Sequence, residues 1–147
     1  MQPDRFTTAR NWLAAAGDDY TVATLALLQV PSLACFHGQQ CAEKALKAIL
    51  VAVAGDVARE HLMTRLLEEL DGLGIETEDL RADALALEKF YGPTRYPDAL
   101  GGANPGTAYT VSEARDAIAR AERLIARARD LVAHENEADR GRTEDPS

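Results

Sequence analysis

The sequence has few cysteines and no long apolar run. Its two cysteines, Cys35 and Cys41, lie six residues apart on different sides of one predicted helix, so they cannot form a disulfide framework. No apolar stretch reaches the roughly 18 residues that would span a bilayer, and the first residues lack a charged segment followed by an apolar one. These absences argue against a disulfide scaffold and a membrane protein, and they predict a cytoplasmic protein.

Residues that favour strands are also scarce. The chain of 147 residues has 7 Val and 4 Ile, and aromatic residues make up 5% of it. Ala and Leu, which are strong helix formers, number 27 and 18. Because a chain of this length can bury a core of its own, the composition predicts a single all-α domain.

Positive charge is in deficit. The chain has 16 Lys and Arg against 24 Asp and Glu, a formal charge of −8. A field of that sign repels phosphate, which argues against non-specific coating of DNA. The charge is uneven, because residues 31–54 sum to +1 and residues 92–129 to +2. A local anion-binding cleft built from these two segments is therefore compatible with the net negative charge of the chain.

The spacing of apolar residues predicts the architecture. Recurrence every three and four residues predicts helices over residues 4–29, 33–54, 61–71 and 77–91, and a last helix that begins at the capping box Thr110–Glu113. Ser32 is placed to cap the second helix, and Gly55 to end it. We expect an up-and-down four-helix bundle with a split third helix, about five helices in all.

The polar C-terminal residues lack this periodicity. We expect residues 1–134 to form the bundle and residues 135–147 to be a disordered tail.

The second predicted helix carries two distinct stripes. Its small residues form one stripe, which would let a partner helix approach closely: Ala34, Gly38, Cys41, Ala45, Ala48 and Ala52. Its polar residues gather within about a third of the circumference: His37, Gln40, Glu43, Lys44 and Lys47. The two lysines are suited to neutralise phosphate, and Gln40 to hydrogen-bond a base or ribose. A solvated helix face is the alternative interpretation.

The longest irregular stretch, residues 92–106, holds three prolines and four glycines. A loop of this length in a compact domain is usually either functional or disordered. It contains Arg95, Tyr96, Pro97 and Asp98, and the guanidinium of Arg95 in a proline-stiffened loop is a candidate anion ligand. Alternatively, Arg95 and Asp98 pair and fix the loop to the bundle.

Two further patterns carry less weight. Arg129 and His134 have the spacing R-x4-H of some metal-free ribonucleases, in which His transfers protons and Arg binds phosphate. Five helical residues turn by 140°, however, and an Arg-rich helix produces such a match by chance. His37 and Cys41 would begin a metal site, but no third or fourth ligand stands nearby, so we predict no metal and no cofactor.

In combination, these residues resemble the HEPN domain family (higher eukaryotes and prokaryotes nucleotide-binding) over roughly residues 5–133. The resemblance rests on four stretches: Trp12 to Asp19, Cys35 to Ala48 with Phe-His-Gly-Gln-Gln-Cys-Ala-Glu-Lys, His61-Leu62, and Arg95-Tyr96-Pro97. It implies a helical bundle that is often dimeric. Many prokaryotic members resemble partners of a minimal nucleotidyltransferase in toxin–antitoxin arrangements, and other relatives are ribonucleases with R-x4-6-H at the start of the last helix.

Here the last helix does not begin with that motif, because no histidine follows Arg95 until His134. We therefore expect a binding protein rather than an enzyme: a dimeric component of a nucleotidyltransferase–HEPN system that binds a nucleotide or RNA phosphate. The expected ligand-binding residues are His37, Gln40, Lys44, Lys47, Arg95, Tyr96 and Asp98.

Two alternatives stay open. One is a metal-independent ribonuclease toxin that uses Arg129 and His134, or Arg95 and His37 brought together in space. The other is a purely structural interaction domain, which is favoured if the strip is buried under a dimer partner, with Lys44 paired to a carboxylate such as Glu43 or one across the interface.

Overall fold

The computed structural model describes residues 4–56, 59–92, 101–102 and 104–144, and the regular secondary structure of these residues is entirely helical. The helices are α1 (Arg5–Ala26), α2 (Pro31–Ala54), α3 (Met63–Gly72), α4 (Glu78–Glu88), the four-residue α5 (Pro105–Ala108) and α6 (Val111–Glu144). The predicted all-α bundle with a split third element is confirmed. None of the helices in the described ranges is long and apolar enough to cross a membrane.

Helix α2 lies at the centre of the bundle and contacts each of the other five helices. All members of its small-residue stripe are buried. A Cβ atom placed on Gly38 would lie 3.4 Å from the carbonyl oxygen of Ala117 on α6, so the two backbones approach closely at this point. The stripe therefore does what its composition predicts, since small side chains let another helix reach the backbone of α2.

The ends of the helices confirm two predicted caps and correct a third. Gly55 ends α2 with a left-handed φ of 83°, a conformation that favours glycine. In the capping box of α6, the hydroxyl of Thr110 accepts from the backbone N–H of Glu113 at 3.0 Å. The predicted cap at Ser32 is wrong: α2 begins at Pro31, two residues before the predicted start at residue 33, and no side chain caps it. Proline suits the first helical position because its missing N–H needs no partner there.

The two short helices α3 and α4 fold back on each other. Arg81 pairs with Asp71 at 3.0 Å near their connection, and the backbone N–H of Thr64 donates to Glu88 at 3.4 Å at the opposite end. These two contacts make the helices antiparallel.

The α3–α4 pair is joined to α6 through Asp83 of α4. This buried carboxylate accepts from Arg120 at 3.0 Å and from Arg123 at 2.8 Å, both on α6.

Helix α6 is longer than predicted. It continues to Glu144, ten residues beyond residue 134, so the structure differs from the disordered tail expected from residue 135. The added segment has no proline, and its Ala, Glu and Arg residues favour helix. Arg5 of α1 pairs with Asp139 at 2.9 Å and ties this segment to the bundle. Apolar periodicity does not reveal this extension, because a helix held at its surface by charges does not need an apolar stripe.

Replacing Asp83 should loosen the contact between α4 and α6. The hydrogen bond from Arg123 is the main reason that the pKa of Asp83 lies below its usual range. A lowered pKa in the folded state means that the carboxylate stabilises the fold above about pH 4, and that this contribution is lost as the pH falls through the folded-state pKa. We expect Asp83→Asn to lower the free energy of unfolding by about 1–2 kcal/mol at pH 7, and by less at pH 3.

Urea denaturation at the two pH values measures this difference. Asp79→Asn is the control, because Asp79 is exposed and pairs with Arg127 at the surface at 3.0 Å, a contact that should contribute less than about 1 kcal/mol. Equal losses for the two variants, or a loss from Asp83→Asn that does not change with pH, would contradict the assignment.

Candidate functional site

The polar strip of α2 meets a buried carboxylate of α1, that of Asp19. Asp19 is 7% exposed. Its Oδ1 lies 2.8 Å from Nδ1 of His37, and its Oδ2 accepts from Nζ of Lys44 at 2.5 Å. Because α1 and α2 run antiparallel on either side of the short connection at residues 27–30, Asp19 faces two side chains that lie two turns apart on α2. One carboxylate thus orients both donors.

His37 and Lys44 keep part of their hydrogen-bonding capacity. Their side chains are 25% and 28% exposed. With the N–H of Nδ1 directed at Asp19, the second ring nitrogen of His37 remains for a ligand, and Lys44 uses only one of its three N–H groups on Asp19. The ammonium can therefore donate to an anion, and the imidazole can do so when it is protonated. Both groups are held in place before a ligand arrives.

The second buried carboxylate of the site, that of Glu43, lies on the polar strip of α2 itself. It is 4% exposed and accepts from Nζ of Lys47 at 3.1 Å and from the amide of Gln39 at 3.4 Å. Nδ1 of His61, from the segment before α3, lies 3.3 Å from it. Lys47 is 4% exposed, and its ammonium lies 5.5 Å from the centre of the Trp12 ring. Lys47 therefore does not offer the exposed ammonium that the predicted phosphate contact requires.

The remaining residues of the predicted site are Gln40, Arg95, Tyr96 and Asp98. Gln40 is half-buried and donates to the side-chain oxygen of Gln39 at 2.7 Å, which leaves its own carbonyl oxygen for another partner. The other three fall in residues 93–100, outside the described residues, so their part in the site stays a prediction.

Arg129 and His134 line different grooves. Arg129 lies on a groove between α1 and α6, with Arg10 and Leu13, whereas His134 lies on a groove with the connection between α3 and α4. This separation follows from the 140° between the two positions on α6. The structure therefore does not bring this Arg and His together within one chain.

The two cysteines are buried and reduced. Burial is the main reason that the pKa of each thiol is raised to about 12, and for Cys41 the negative charge of Asp19 adds to the effect. Thiols with such pKa values stay protonated at neutral pH and are unreactive. His37 pairs with Asp19 rather than with Cys41, and no group of three or more potential ligands in the described ranges could hold a metal ion.

Comparison with known proteins identifies the family. The profile of the HEPN domain matches residues 9–131. The chain belongs to the HEPN family. Among solved structures, TT1696 from Thermus thermophilus is similar to this HEPN chain at 38% identity with a TM-score of 0.75, over 86% of this chain and 97% of that one. The structure of ST0689, an archaeal HEPN homologue, has 32% identity and a TM-score of 0.70, over 84% and 97% of the two chains. No curated protein matches the sequence.

The match to the HEPN profile includes Asp19 and the whole polar strip with Glu43, but it ends before His134. The role of Asp19 was not predicted, although the sequence contains one signal of it. Asp19 follows Ala16 by three residues and precedes Ala23 by four, which is the phase of the buried residues of α1. A carboxylate in that phase has to meet donors on a neighbouring helix.

Replacing Asp19 with asparagine should destabilise this HEPN domain, because the neutral amide keeps one acceptor oxygen where the carboxylate offers one to His37 and one to Lys44. We expect Asp19→Asn to lower the free energy of unfolding by about 2–3 kcal/mol in urea denaturation. The adjacent Asp18 is exposed, so Asp18→Asn should change it by less than about 0.5 kcal/mol. If the two substitutions have the same effect, the carboxylate of Asp19 does not hold α1 and α2 together.

Proposed function

We propose that this HEPN protein binds a phosphate group, of a nucleotide or of RNA, at the seam between α1 and α2. The observation that carries the proposal is the contact of Asp19 with both His37 and Lys44. These two side chains remain about a quarter exposed and lie on a segment of net positive charge in an acidic protein. Donors that are already oriented lose little freedom on binding, which favours recognition of a small anion.

Other residues would complete the ligand contacts. The carbonyl oxygen of Gln40 lies on the same strip and is suited to a base or ribose group. Arg95 would add a guanidinium and Tyr96 a ring, and Asp98 is the third residue predicted for the site from residues 92–106. Binding, rather than cleavage of RNA, is favoured because Arg129 and His134 line different grooves.

The family suggests a setting for this binding. We propose a cytoplasmic homodimer that pairs with a minimal nucleotidyltransferase in a two-component, toxin–antitoxin-like system. The support is the HEPN match together with the resemblance of the α2 strip to members of that type. Sedimentation velocity tests the homodimer, since a dimer has twice the 15.9 kDa of one chain. Co-purification with a nucleotidyltransferase encoded by an adjacent gene tests the pairing.

A purely structural interaction domain is the second candidate. It is favoured by the ion pairs of the two lysines: Lys44 with Asp19, and Lys47 with Glu43. In that case the network serves only to hold α1 and α2 together, and the strip binds no ligand.

Calorimetry with ATP and GTP separates the two candidates. We expect the wild type to bind, and Lys44→Ala and Arg95→Ala each to bind roughly 10- to 100-fold more weakly, the loss typical of a charge-assisted hydrogen bond. Lys44→Arg keeps the charge and should retain most of the affinity.

Arg81→Ala is the control, because Arg81 lies on α4 and pairs with Asp71, away from the strip. Thermal melts should show that each variant is folded. Equal heats for the wild type and the two site variants would rule out this site, and the absence of any binding by the wild type would favour the structural domain.

A further inference from the structure

The end of the hairpin formed by α1 and α2 exposes several large apolar side chains close together in sequence. Eight large apolar side chains are exposed in the described part of the chain, and four of them come from residues 22–33: Val22, Leu25, Leu28 and Leu33. Leu25 and Leu28 are 75% and 66% exposed, the two highest values among the eight. Single exposed leucines are ordinary, whereas a cluster of them marks a contact surface.

These side chains follow one side of α1 and continue past its end. Val22 and Leu25 lie on the last two turns of α1, and Leu28 follows at the same spacing of three residues in the turn after the helix. Three residues turn a helix by about 300°, so the three side chains stay within about 120° of its circumference. Leu33 lies on the first turn of α2, at the same end of the bundle. The surface formed by Val22, Leu25, Leu28 and Leu33 is called the hairpin face below.

The hairpin face belongs to the longest uncharged segment of the sequence. Residues 20–36 include no Asp, Glu, Lys, Arg or His, although charged residues make up 27% of the chain. A charged side chain that docked on this face would lose its hydration and find no ion-pair partner within the segment. The face therefore fits a surface that is itself apolar and uncharged.

We propose that the hairpin face is the surface through which two copies of this chain form a dimer. The inference rests on the homodimer of the proposed function and adds its contact face. A second copy supplies the uncharged surface that the first copy requires, and a two-fold axis brings like surfaces together into a closed dimer. Burial of the exposed leucines of both copies drives the association. Two chains of net charge −8 repel each other, and contact through an uncharged segment keeps their acidic groups apart.

The charge at the border of the face also fits a second copy. With the two-fold axis at Leu25, the two α1 helices run antiparallel, and Val22 of one copy faces Leu28 of the other. Asp18 is exposed and lies seven residues before Leu25, so it is placed opposite the end of the other bundle, where α2 begins. In the described residues, that helix start has neither a side-chain cap nor an acidic residue in its first turn. Its partial positive charge therefore attracts the carboxylate of Asp18.

Sedimentation velocity of the full chain tests the hairpin face. We expect the wild type to be a dimer and Leu25→Glu to raise the dissociation constant at least 100-fold, because two carboxylates would be buried together at the two-fold axis. Leu25 is exposed within its own chain, so the variant should fold, which circular dichroism checks. Leu28→Glu is a second variant with the same expected result. Leu85→Glu is the control and should stay dimeric, because Leu85 is 46% exposed but lies on α4.

The outcomes separate the face from the proposals on which it rests. A monomeric wild type overturns both the homodimer and its face. If that monomer pairs with the nucleotidyltransferase and Leu25→Glu does not, the face serves that partner instead of a second copy. A dimer that persists in both Leu25→Glu and Leu28→Glu overturns the face alone. Lys44→Ala should remain a dimer, so a failure of phosphate binding does not change this result.

Leu25→Cys tests the position of the two-fold axis. A disulfide requires Cα atoms within about 7 Å of each other, so mild oxidation should link two copies through residue 25. The native thiols are buried and should not react. Ala14→Cys is the control, because Ala14 is exposed on the same side of α1 eleven residues earlier, and its two copies would lie about 33 Å apart. A covalent dimer from Ala14→Cys, or none from a dimeric Leu25→Cys, would contradict this arrangement.

Discussion

The carboxylate of Asp19 constrains the seam between α1 and α2. A charge removed from water is costly unless it is paired and fully hydrogen-bonded, so a buried aspartate tolerates few alternative arrangements of its neighbours. Asp19 meets this requirement with His37 and Lys44, which lie two turns apart on α2, and any sliding of α1 along α2 would break at least one of the two contacts. Helix α2 contacts all of the other five helices, so the contact that fixes α1 against α2 joins α1 to the centre of the bundle.

The need to pair buried charges also decides which basic side chains remain accessible to a ligand. Of the two lysines on the polar strip, Lys47 is enclosed with Glu43, whereas Lys44 shares its carboxylate with a histidine and remains about a quarter exposed. Pairing therefore does not remove Lys44 from the surface but orients it.

Much of the fold could be predicted from local pattern, since helix periodicity, the capping box at Thr110 and the stop at Gly55 depend on neighbours in sequence. Features that depend on distant partners could not be predicted in this way. The role of Asp19 and the burial of Lys47 arise from contacts between helices, and the extension of α6 is tied to the bundle by Arg5 and Asp139. Periodicity shows that a side chain faces inward but not which partner it meets.

A double-mutant cycle between Asp19 and Lys44 tests the central claim most directly. Free energies of unfolding are measured for the wild type, Asp19→Asn, Lys44→Met and the double variant. If the Asp19 carboxylate is held by Lys44 across the seam, the two substitutions are not additive, and the coupling should be about 1–3 kcal/mol. Additive effects, with a coupling indistinguishable from zero, would contradict the account.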